Sequence, residues 1–352
     1  MNMQTSNLLG VLAPLFEDPA VTELIADGHE HVYVEREGQL VDVPTPFRDK
    51  AQLLEVILSL AGSLDSTVNE AHPMLDLRLP DFSRVNIVLP PISLSGPLLT
   101  IRKFIRTRLT LDDLLRYNCL TNAMLTFLRA CIEGRCNIVI SGGVSAGKIT
   151  FLSLMAGLIP PQERIIVVEE VAQILLLQPR VVMLESRPPD INGKGEITVR
   201  DLIHNALRMR PDRLILDEAH GGEVLALVDA MINGHDGTLL SLHASSPFDA
   251  LFRLENMAAL ADPSIPLMVL RTKIATAVDL IVQIERLADG SRKVMNISEV
   301  TGFQEGVIKL KDIFEYRQAD GVHTPTGHIP TFLPALQAAG FDLPVNLFTP
   351  TS

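Results

Sequence analysis

Residues 138–150 read Ile-Val-Ile-Ser-Gly-Gly-Val-Ser-Ala-Gly-Lys-Ile-Thr, and this stretch decides the fold that we predict. It combines a short apolar run, a glycine-rich loop and the expected start of a helix. It fits the pattern G-x-x-x-x-G-K-[ST] except at the last position. Glycines allow backbone N–H groups to surround a pyrophosphate, and the lysine reaches the terminal phosphates. An ordinary glycine-rich turn is the alternative, but it does not require the apolar run before the loop. We therefore predict a nucleotide-binding P-loop.

The departure from the pattern falls on the residue after Lys148. A P-loop has a hydroxyl there that binds Mg²⁺, whereas Ile149 has none. Thr150 does not replace it, because consecutive residues of a helix lie about 100° apart around its axis. The loop is therefore expected to hold phosphate, while its capacity for hydrolysis is in question. The predicted nucleotide contacts of this loop are Gly142, Gly143, Val144, Ser145, Ala146, Gly147, Lys148, Ile149 and Thr150.

Composition and charge exclude several classes of protein. The chain has 352 residues, of which 47% are hydrophobic, so it can form two or three domains. No apolar run approaches the roughly 18 residues that span a bilayer, and no signal-peptide pattern is found, which predicts a cytoplasmic protein. The net charge of −12 argues against a nucleic-acid partner, because phosphate backbones attract basic surfaces. The three cysteines lack metal-binding spacing and are expected to be reduced thiols.

The order of the predicted elements divides the chain. Residues 1–105 combine strand and helix patterns and predict an N-terminal α+β domain, followed by a linker at residues 106–111. Residues 112–300 alternate strands with helices, which predicts an α/β domain with a mainly parallel sheet. Residues 301–352 contain many Pro and Gly residues and are predicted to form a C-terminal appendage.

Within the α/β domain, the first element is predicted as a single helix at residues 111–133, leading into the P-loop strand. A late hairpin is predicted from residues 278–285 and 292–300, because Asp289-Gly290 lies between them. Buried strands are predicted at residues 137–141, 165–168, 181–184, 213–216 and 238–242. Ligands of such sheets gather at the carboxyl ends of the strands.

Acidic pairs follow two of these strands. Asp217-Glu218 follows an apolar strand, as in a Walker B site, where one acid holds Mg²⁺ and the other polarises the attacking water. Glu218 lies 70 residues after Lys148, a distance that suits a P-loop domain better than a chance acidic turn. Glu169-Glu170 follows residues 165–168, although on spacing alone a solvated helix start explains that pair equally well.

Two histidines, His235 and His243, lie eight residues apart and are predicted near strand ends on the ligand side. A histidine in such a position is more often structural, but two together could contact phosphate. Zinc is less favoured, because no cysteine or third histidine has ligand spacing.

Several further stretches resemble the secretion ATPases of the type II/type IV superfamily. They are Asn-Ala-Leu-Arg-Met-Arg-Pro-Asp-Arg at residues 205–213, Asn-Gly-His-Asp-Gly at 233–237, Leu-His-Ala-Ser-Ser-Pro at 242–247, Leu-Pro-Asp-Phe-Ser-Arg-Val-Asn at 79–86 and Glu-Arg-Leu-Ala-Asp-Gly-Ser-Arg at 285–292. The branch that the chain is most similar to is CpaF/TadA, the motors of tight-adherence (Flp) pili. The four-cysteine zinc module of the type II secretion branch is missing from the sequence.

This resemblance implies an N-terminal α+β domain followed by a RecA-like P-loop NTPase domain, with ATP and Mg²⁺ as ligands. It also implies a homo-hexamer, or a mixed ring with an active paralogue, peripheral at the cytoplasmic face of the inner membrane. The partners implied are platform proteins of a pilus or secretion system, and no nucleic acid. Arg78, Arg84 and Arg102 correspond to arginines of the N-terminal domain, and the resemblance implies that one or more of them reach phosphate from a neighbouring subunit. The implied catalytic carboxylates are Glu218, Asp217 and Glu170, the metal ligands are Asp217 and Glu218, and His243 belongs to a phosphate-contacting His box.

Departures from the family pattern point to weakened chemistry. The family's acidic box usually reads E-D-x-x-E, but here Gln173 replaces the final acid, and His220 replaces an arginine after the Walker B acids. Losing a general base costs ~10²–10⁴ in rate, so its loss together with the Mg²⁺ hydroxyl predicts an ATP-binding ring subunit with weak or absent hydrolysis. Whether the chain is an enzyme stays open at this point.

Two alternatives remain. Asp217 could compensate for the missing hydroxyl, which would leave an active ATPase that drives pilin extrusion. The phosphate cradle and the basic cluster at residues 102–108 could instead serve a regulatory sensor of another nucleotide, for example a cyclic dinucleotide.

Overall fold

The computed structural model describes residues 8–36, 39–64, 66–81, 83–103, 109–189 and 193–350. The chain divides into two compact units, Met1–Arg108 and Leu109–Ser352. Each unit has its own sheet and its own apolar core. The predicted linker at residues 106–111 lies partly outside the described residues.

The first unit is an antiparallel sheet that carries helices on one face. Its described part has six strands in the order β3-β2-β1-β6-β5-β4. The strands are β1 Val21–Asp27, β2 His31–Arg36, β3 Gln39–Val43, β4 Met74–Arg78, β5 Arg84–Val88 and β6 Leu98–Arg102, and the helices are α1 Ala13–Glu17 and α2 Lys50–Ser63. Helix α2 begins after Asp49, whose carboxylate accepts the N–H of Gln52, and it buries Leu53, Ile57 and Leu60 in the core of this unit. The opposite face of the sheet is more exposed, because exposed and buried residues alternate along strands such as β5.

The second unit is built on a larger sheet. Its described residues form nine strands in the order β15-β14-β13-β12-β7-β11-β10-β8-β9. They are β7 Ile138–Gly142, β8 Ile165–Glu169, β9 Val181–Glu185, β10 Arg213–Leu216, β11 Leu239–His243, β12 Leu280–Arg286, β13 Arg292–Gln304, β14 Val307–Arg317 and β15 Val322–Pro325. Six neighbouring strands of this order, β12, β7, β11, β10, β8 and β9, are parallel to one another. The other three strands, β13, β14 and β15, pair antiparallel. The predicted α/β class with a mainly parallel sheet is confirmed.

Helices cover both faces of this sheet and create two separate cores. The helices are α3 Leu111–Arg116, α4 Asn122–Glu133, α5 Lys148–Ala156, α6 Val199–Ala206, α7 Glu223–Ile232, α8 Pro247–Ala261, α9 Leu267–Ala277 and α10 Leu333–Ala338. One core contains residues of α4 and α5, and the other contains residues of α7, α8 and α9. Along β7, Ile138 and Ile140 enter the first core while Val139 enters the second, as strand alternation requires.

The prediction of one helix over residues 111–133 was wrong, because two helices occupy this region. The segment after α3 leaves the helical path at Asn118, which has a left-handed φ of 51°. Thr121 then starts α4 by accepting the N–H of Met124 with its hydroxyl. A second capping signal therefore lies within what reads in the sequence as one apolar pattern.

The predicted border between the ATPase domain and an appendage at residue 301 was also wrong. Strand β13 crosses that border, and β14 and β15 extend the same sheet. The residues after β15 pack into the first core, where Phe348 makes an edge contact with Phe127, their ring centroids 5.5 Å apart. Buried Glu299 fixes this segment, because its carboxylate accepts the backbone N–H of Thr331 at 2.8 Å and lies 2.5 Å from Nε2 of His328. The C-terminal residues therefore belong to the second unit.

In the part of the chain that the structure describes, no helix has the length and apolar character needed to cross a membrane.

Candidate nucleotide-binding site

The glycine-rich loop joins the carboxyl end of β7 to the start of α5, as its sequence predicts. Gly147, with a φ of 92°, and Ser145, with a φ of 60°, have the left-handed backbone that turns the chain into the helix. Lys148 is only 5% exposed. Its ammonium group donates to the carbonyl of Gly143 at 3.2 Å and lies 3.0 Å from Nδ1 of His243.

Ile149 and Thr150 have different environments in the first turn of α5. Ile149 is partly buried and packs against the first core, whereas Thr150 is exposed. The side chain that should supply the hydroxyl for Mg²⁺ is therefore an apolar contact of the domain core. This placement agrees with the sequence expectation that Thr150 is no substitute.

The parallel strand order brings the predicted acids and His243 to the edge of the sheet that carries the P-loop. Nε2 of His243, at the end of β11, lies 2.7 Å from Oε1 of Glu218. His220 faces two carboxylates, because its Nδ1 is 3.8 Å from Glu218 and its Nε2 is 3.6 Å from Glu170. Lys148, His243, Glu218, His220 and Glu170 thus form one chain of polar contacts.

Burial changes the proton affinities in this cluster. Asp217 is 4% exposed, and its Oδ1 has no hydrogen-bond partner among the described residues. Burial, and next the charge of Glu218, raise the pKa of Asp217 to about 7. Burial lowers the pKa of Lys148 and that of His243. A phosphate ligand and its cation would therefore bind beside charged side chains that have little contact with water.

Glu169 is a candidate functional residue that sequence reasoning did not select. It is fully buried, and its Oε1 accepts the backbone N–H groups of Gln173 at 2.6 Å and Ile174 at 2.8 Å. Its Oε2 has no partner within the described residues, and burial raises its pKa to about 7. Glu170, which was selected, has a side chain that is 66% exposed.

The signal that could have identified Glu169 is its position in the buried strand. It is the last residue of β8 rather than the first of a helix, and it continues the alternation that places Val167 in the core beside α5. Asp217 occupies the equivalent position beside it, because Leu216 pairs with Val168.

The expectation that both histidines lie on the ligand side was wrong for His235. Strand β11 runs between the two residues, so His243 lies at its carboxyl end and His235 precedes its amino end. The carbonyl of His235 accepts the hydroxyl of Thr238, which is a local turn contact. His235 is therefore not part of the cluster around Lys148.

In the first unit, the three predicted arginines form one row across the open face of the sheet. Arg84 of β5 pairs with Arg78 of β4 on one side and with Arg102 of β6 on the other. Glu23 of β1 follows Arg102 in the same row. Like charges directly opposite one another destabilise a sheet, and Glu23 places an opposite charge at the end of this row.

A cavity of about 500 Å³ opens beside the P-loop. Its walls include Gly147, Thr150 and Phe151 of the loop and α5, and it is closed by Tyr117 after α3 and by Arg292 at the start of β13. Small-molecule pockets commonly measure about 300–1,000 Å³, so the cavity can accommodate a nucleoside.

The donor set at the strand ends fits Mg²⁺ in part. Mg²⁺ is commonly bound through one or two carboxylates together with substrate phosphates, and Asp217 and Glu218 supply those carboxylates beside Lys148. The Oδ1 atom of Asp217, which has no hydrogen-bond partner among the described residues, is available to bind a cation. No cluster of three or more metal-binding side chains is found among the described residues, so phosphate oxygens and water would complete the shell.

Comparison with known proteins places this architecture in a family. The model of the type II/IV secretion system protein family matches residues 6–320. The chain belongs to that family. Among its relatives, a conjugal transfer protein TrbB of Rhizobium radiobacter is 31% identical over 297 residues, which is 83% of this chain and 88% of the relative. A putative conjugal transfer protein of Mycobacterium tuberculosis is 30% identical over 295 residues, covering 82% of this chain and 83% of the relative.

Solved structures support the fold. A crystal structure of the pilus retraction motor PilT with bound ADP matches 88% of this chain and 83% of PilT, with a TM-score of 0.60 and 14% identity. At this identity the likeness concerns the fold, which is that of type II/IV secretion system proteins. The family assignment thus rests on the sequence matches, and the fold agrees with it.

Proposed function

We propose that the protein is an ATP-binding subunit of a CpaF/TadA-like pilus or secretion motor, with weak or absent hydrolysis. The observation that carries the proposal is the P-loop itself: Lys148 is held among His243 and the Walker B acids, while Ile149 packs into the core. The first feature supports phosphate binding, and the second removes a metal ligand.

The nucleotide would extend from the loop into the neighbouring cavity. Backbone N–H groups of residues 143–148 would hold the phosphates together with Lys148. The apolar side chains of Tyr117 and Phe151 would contact the base. Neither contribution requires Mg²⁺, so binding should survive the loss of the hydroxyl better than hydrolysis does.

Hydrolysis depends more strongly on the metal. Mg²⁺ would supply charge neutralisation at the bridging and terminal phosphate oxygens. Asp217 and Glu218 would hold it, but Ile149 supplies no hydroxyl, so the protein would offer one ligand fewer than a P-loop with the usual Ser or Thr. Removing a single group that stabilises developing charge costs ~10²–10³ in other enzymes, which would make a slow motor almost inactive.

The second candidate is an active motor with a compensated site. It is favoured by the two buried carboxylates, Glu169 and Asp217, each of which has one unpartnered oxygen and a pKa raised to about 7. A carboxylate with a pKa near the working pH suits a general base. Glu169 would then act as the general base, which the exposed amide of Gln173 cannot do.

In the cell, the proposed subunit would act in a hexamer, or in a mixed ring with an active paralogue, at the cytoplasmic face of the inner membrane. The row formed by Arg78, Arg84 and Arg102 supports this assembly, since it offers a concentrated cationic face for a nucleotide held by another subunit. The platform of a pilus or secretion system would be its partner.

Phosphate release at steady state, measured beside an ATP-binding titration, tests the proposal. We expect ATP binding that Lys148→Ala abolishes, and little phosphate release. Turnover in the unmodified protein that is lost in Lys148→Ala would establish the compensated motor instead. A protein that binds a cyclic dinucleotide but not ATP would support the sensor.

A repair experiment separates the two defects. If both the metal ligand and the final acid limit hydrolysis, Ile149→Thr with Gln173→Glu should gain far more than either change alone, because residues of one catalytic unit are strongly non-additive. If Glu169 is the base, Ile149→Thr alone should give most of the gain.

A further inference from the structure

The turn between β12 and β13 lies beside the P-loop but contributes no residue to the cluster around Lys148. It belongs to the stretch Glu-Arg-Leu-Ala-Asp-Gly-Ser-Arg at residues 285–292, and it is folded tightly by backbone contacts of Leu287 with Gly290 and Ser291. Arg292, the first residue of β13, leaves this turn towards the P-loop.

The side chain of Arg292 lies directly against Gly147. A Cβ atom added to Gly147 would lie 2.9 Å from Cδ and 3.1 Å from Nε of Arg292. The arginine also forms part of the wall of the 500 Å³ cavity. Its stem therefore crosses the point where the phosphate loop meets the cavity, beside a glycine whose φ of 92° disfavours other residues.

No carboxylate within the described part of the chain balances the charge of Arg292. Among the described residues, its guanidinium has no hydrogen bond and no ion pair. Its neighbour across the strands is Arg286, another cation, because these two residues pair in the β12–β13 ladder. Opposed like charges are unfavourable in a sheet unless an anion lies between or beside them. This arrangement stands out in a chain with 42 acidic and 30 basic side chains.

We propose that Arg292 is a phosphate-binding residue that acts within its own subunit and partly replaces Mg²⁺ as the counter-charge of the nucleotide. The proposal rests on the proposed nucleotide-binding function. Lys148 and the loop N–H groups approach the phosphates from one side, and Arg292 approaches from the cavity side of Gly147. A guanidinium suits this role because its planar set of donors matches two phosphate oxygens.

The proposal links two features of this chain. Ile149 weakens the binding of Mg²⁺, and the guanidinium beside the loop supplies positive charge that needs no coordination shell. Nucleotide binding should therefore depend less on Mg²⁺ than in a P-loop with the usual hydroxyl. The arginine row of the first unit is not needed for this effect, so a single chain suffices.

Titration calorimetry with ADP tests the proposal, with each protein measured in Mg²⁺ and in chelator. The full-length protein and its Arg292→Gln variant are compared with Arg286→Gln, which removes the paired cation outside the cavity wall. Arg292→Gln should weaken ADP binding about 10-fold in chelator, as expected for a lost charged hydrogen bond, and less in Mg²⁺. Arg292→Lys should lose less than Arg292→Gln. Arg286→Gln should change the Kd by less than about 2-fold.

Two results would overturn the role of Arg292. One is an unchanged Kd in chelator for Arg292→Gln, and the other is an equal loss in Arg286→Gln, which would indicate only a general surface charge. Arg292 is exposed, so its variants are expected to fold, and thermal unfolding without nucleotide checks this. Lys148→Ala is the control for the function itself: unchanged ADP binding in that variant would overturn the nucleotide-binding P-loop, whatever Arg292 does.

Discussion

At the scale of single residues, the arrangement of the site is set by the side chains around Lys148. Its ammonium group lies against His243, and His243 lies against Glu218. Three residues that are far apart in sequence are already aligned by the strand order, which lowers the ordering cost of binding.

Ile149→Thr should tighten the binding of Mg·ATP about 10-fold and leave metal-free binding nearly unchanged, because the hydroxyl adds one ligand to the Mg²⁺ shell. Ile149→Val is the matched control, since it has the shape of threonine without the hydroxyl. Calorimetric titrations with and without Mg²⁺ measure the effect. Equal tightening by Val and Thr would show that volume, rather than metal coordination, governs this position.

Asp217→Asn should stabilise the metal-free protein at pH 8 by about 2–4 kcal/mol and change it little near pH 4. Folding raises the pKa of Asp217 from 3.8 to about 7, so the folded state binds this proton more tightly than the unfolded state. The contribution of Asp217 to stability is therefore largest below about pH 4 and decreases as the pH rises to about 7. Urea unfolding at several pH values measures it, and a stability difference that does not depend on pH would contradict the raised pKa.

At the scale of secondary-structure elements, the C-terminal segment differs most from its prediction, because it packs into the core of the second unit instead of forming an appendage. Leu333, Leu336, Leu343 and Phe348 are buried in the same core as α4 and α5. Glu299 of β13 holds the segment at its start through Thr331. The strand and helix that flank the P-loop, β7 and α5, thus share their apolar core with the C-terminal segment.

Phe348→Ala should destabilise the protein by about 3–5 kcal/mol, because it leaves a cavity among the aromatic rings of Phe127 and Phe314. Val345→Ala is the control in the same 3₁₀ helix, Val345–Phe348, since Val345 is half exposed and its truncation should cost less than about 0.5 kcal/mol. Denaturant unfolding compares the two. Similar small losses in both variants would mean that this segment is a loosely attached appendage after all.

Local patterns predicted the strands β7, β8, β9, β10 and β11 within about one residue, since each is a continuous apolar run. Four of these five strands are buried on both faces, and β9 at the edge of the sheet is partly buried. Local patterns failed where two elements share one pattern, as around Thr121, and where a strand continues past a glycine, as at Gly302 in β13. In the site, Lys148, Glu218 and His243 could be predicted because their positions follow strand ends. Glu169 was missed although strand alternation places it beside the buried Val167. Arg292 could not be selected, because its proximity to Gly147 depends on how the strands pack.

At the scale of the whole molecule, the two units separate two kinds of charge. The second unit gathers carboxylates at the strand ends beside Lys148, and the first unit carries three arginines in one row. In the proposed ring, each nucleotide would require both kinds, supplied by different subunits. Assembly would then be a condition for turnover, while binding would not need it.

Mixing two inactive variants tests this division. In the hydrolysis-competent background of the repaired double variant, Arg84→Gln with Arg102→Gln should abolish turnover, and so should Lys148→Ala. A mixture of the two should recover part of the activity, because some junctions would combine an intact P-loop with intact arginines. Phosphate release across mixing ratios measures this. Activity that stays at zero in every mixture, with ring formation verified, would mean that the arginines serve their own subunit.

The central sheet of the second unit also has a consequence for how this protein can diverge. Its strands send alternate residues into two cores that share no side chain. Substitutions on opposite faces have no common partner and should combine additively, whereas substitutions within one face should be coupled. One face, which includes α5 and the C-terminal segment, is tied to the phosphate loop. Substitutions on the other face can be compensated by further substitutions on that face. Related chains can therefore adapt α7, α8 and α9 to other partner proteins while the nucleotide site keeps its shape.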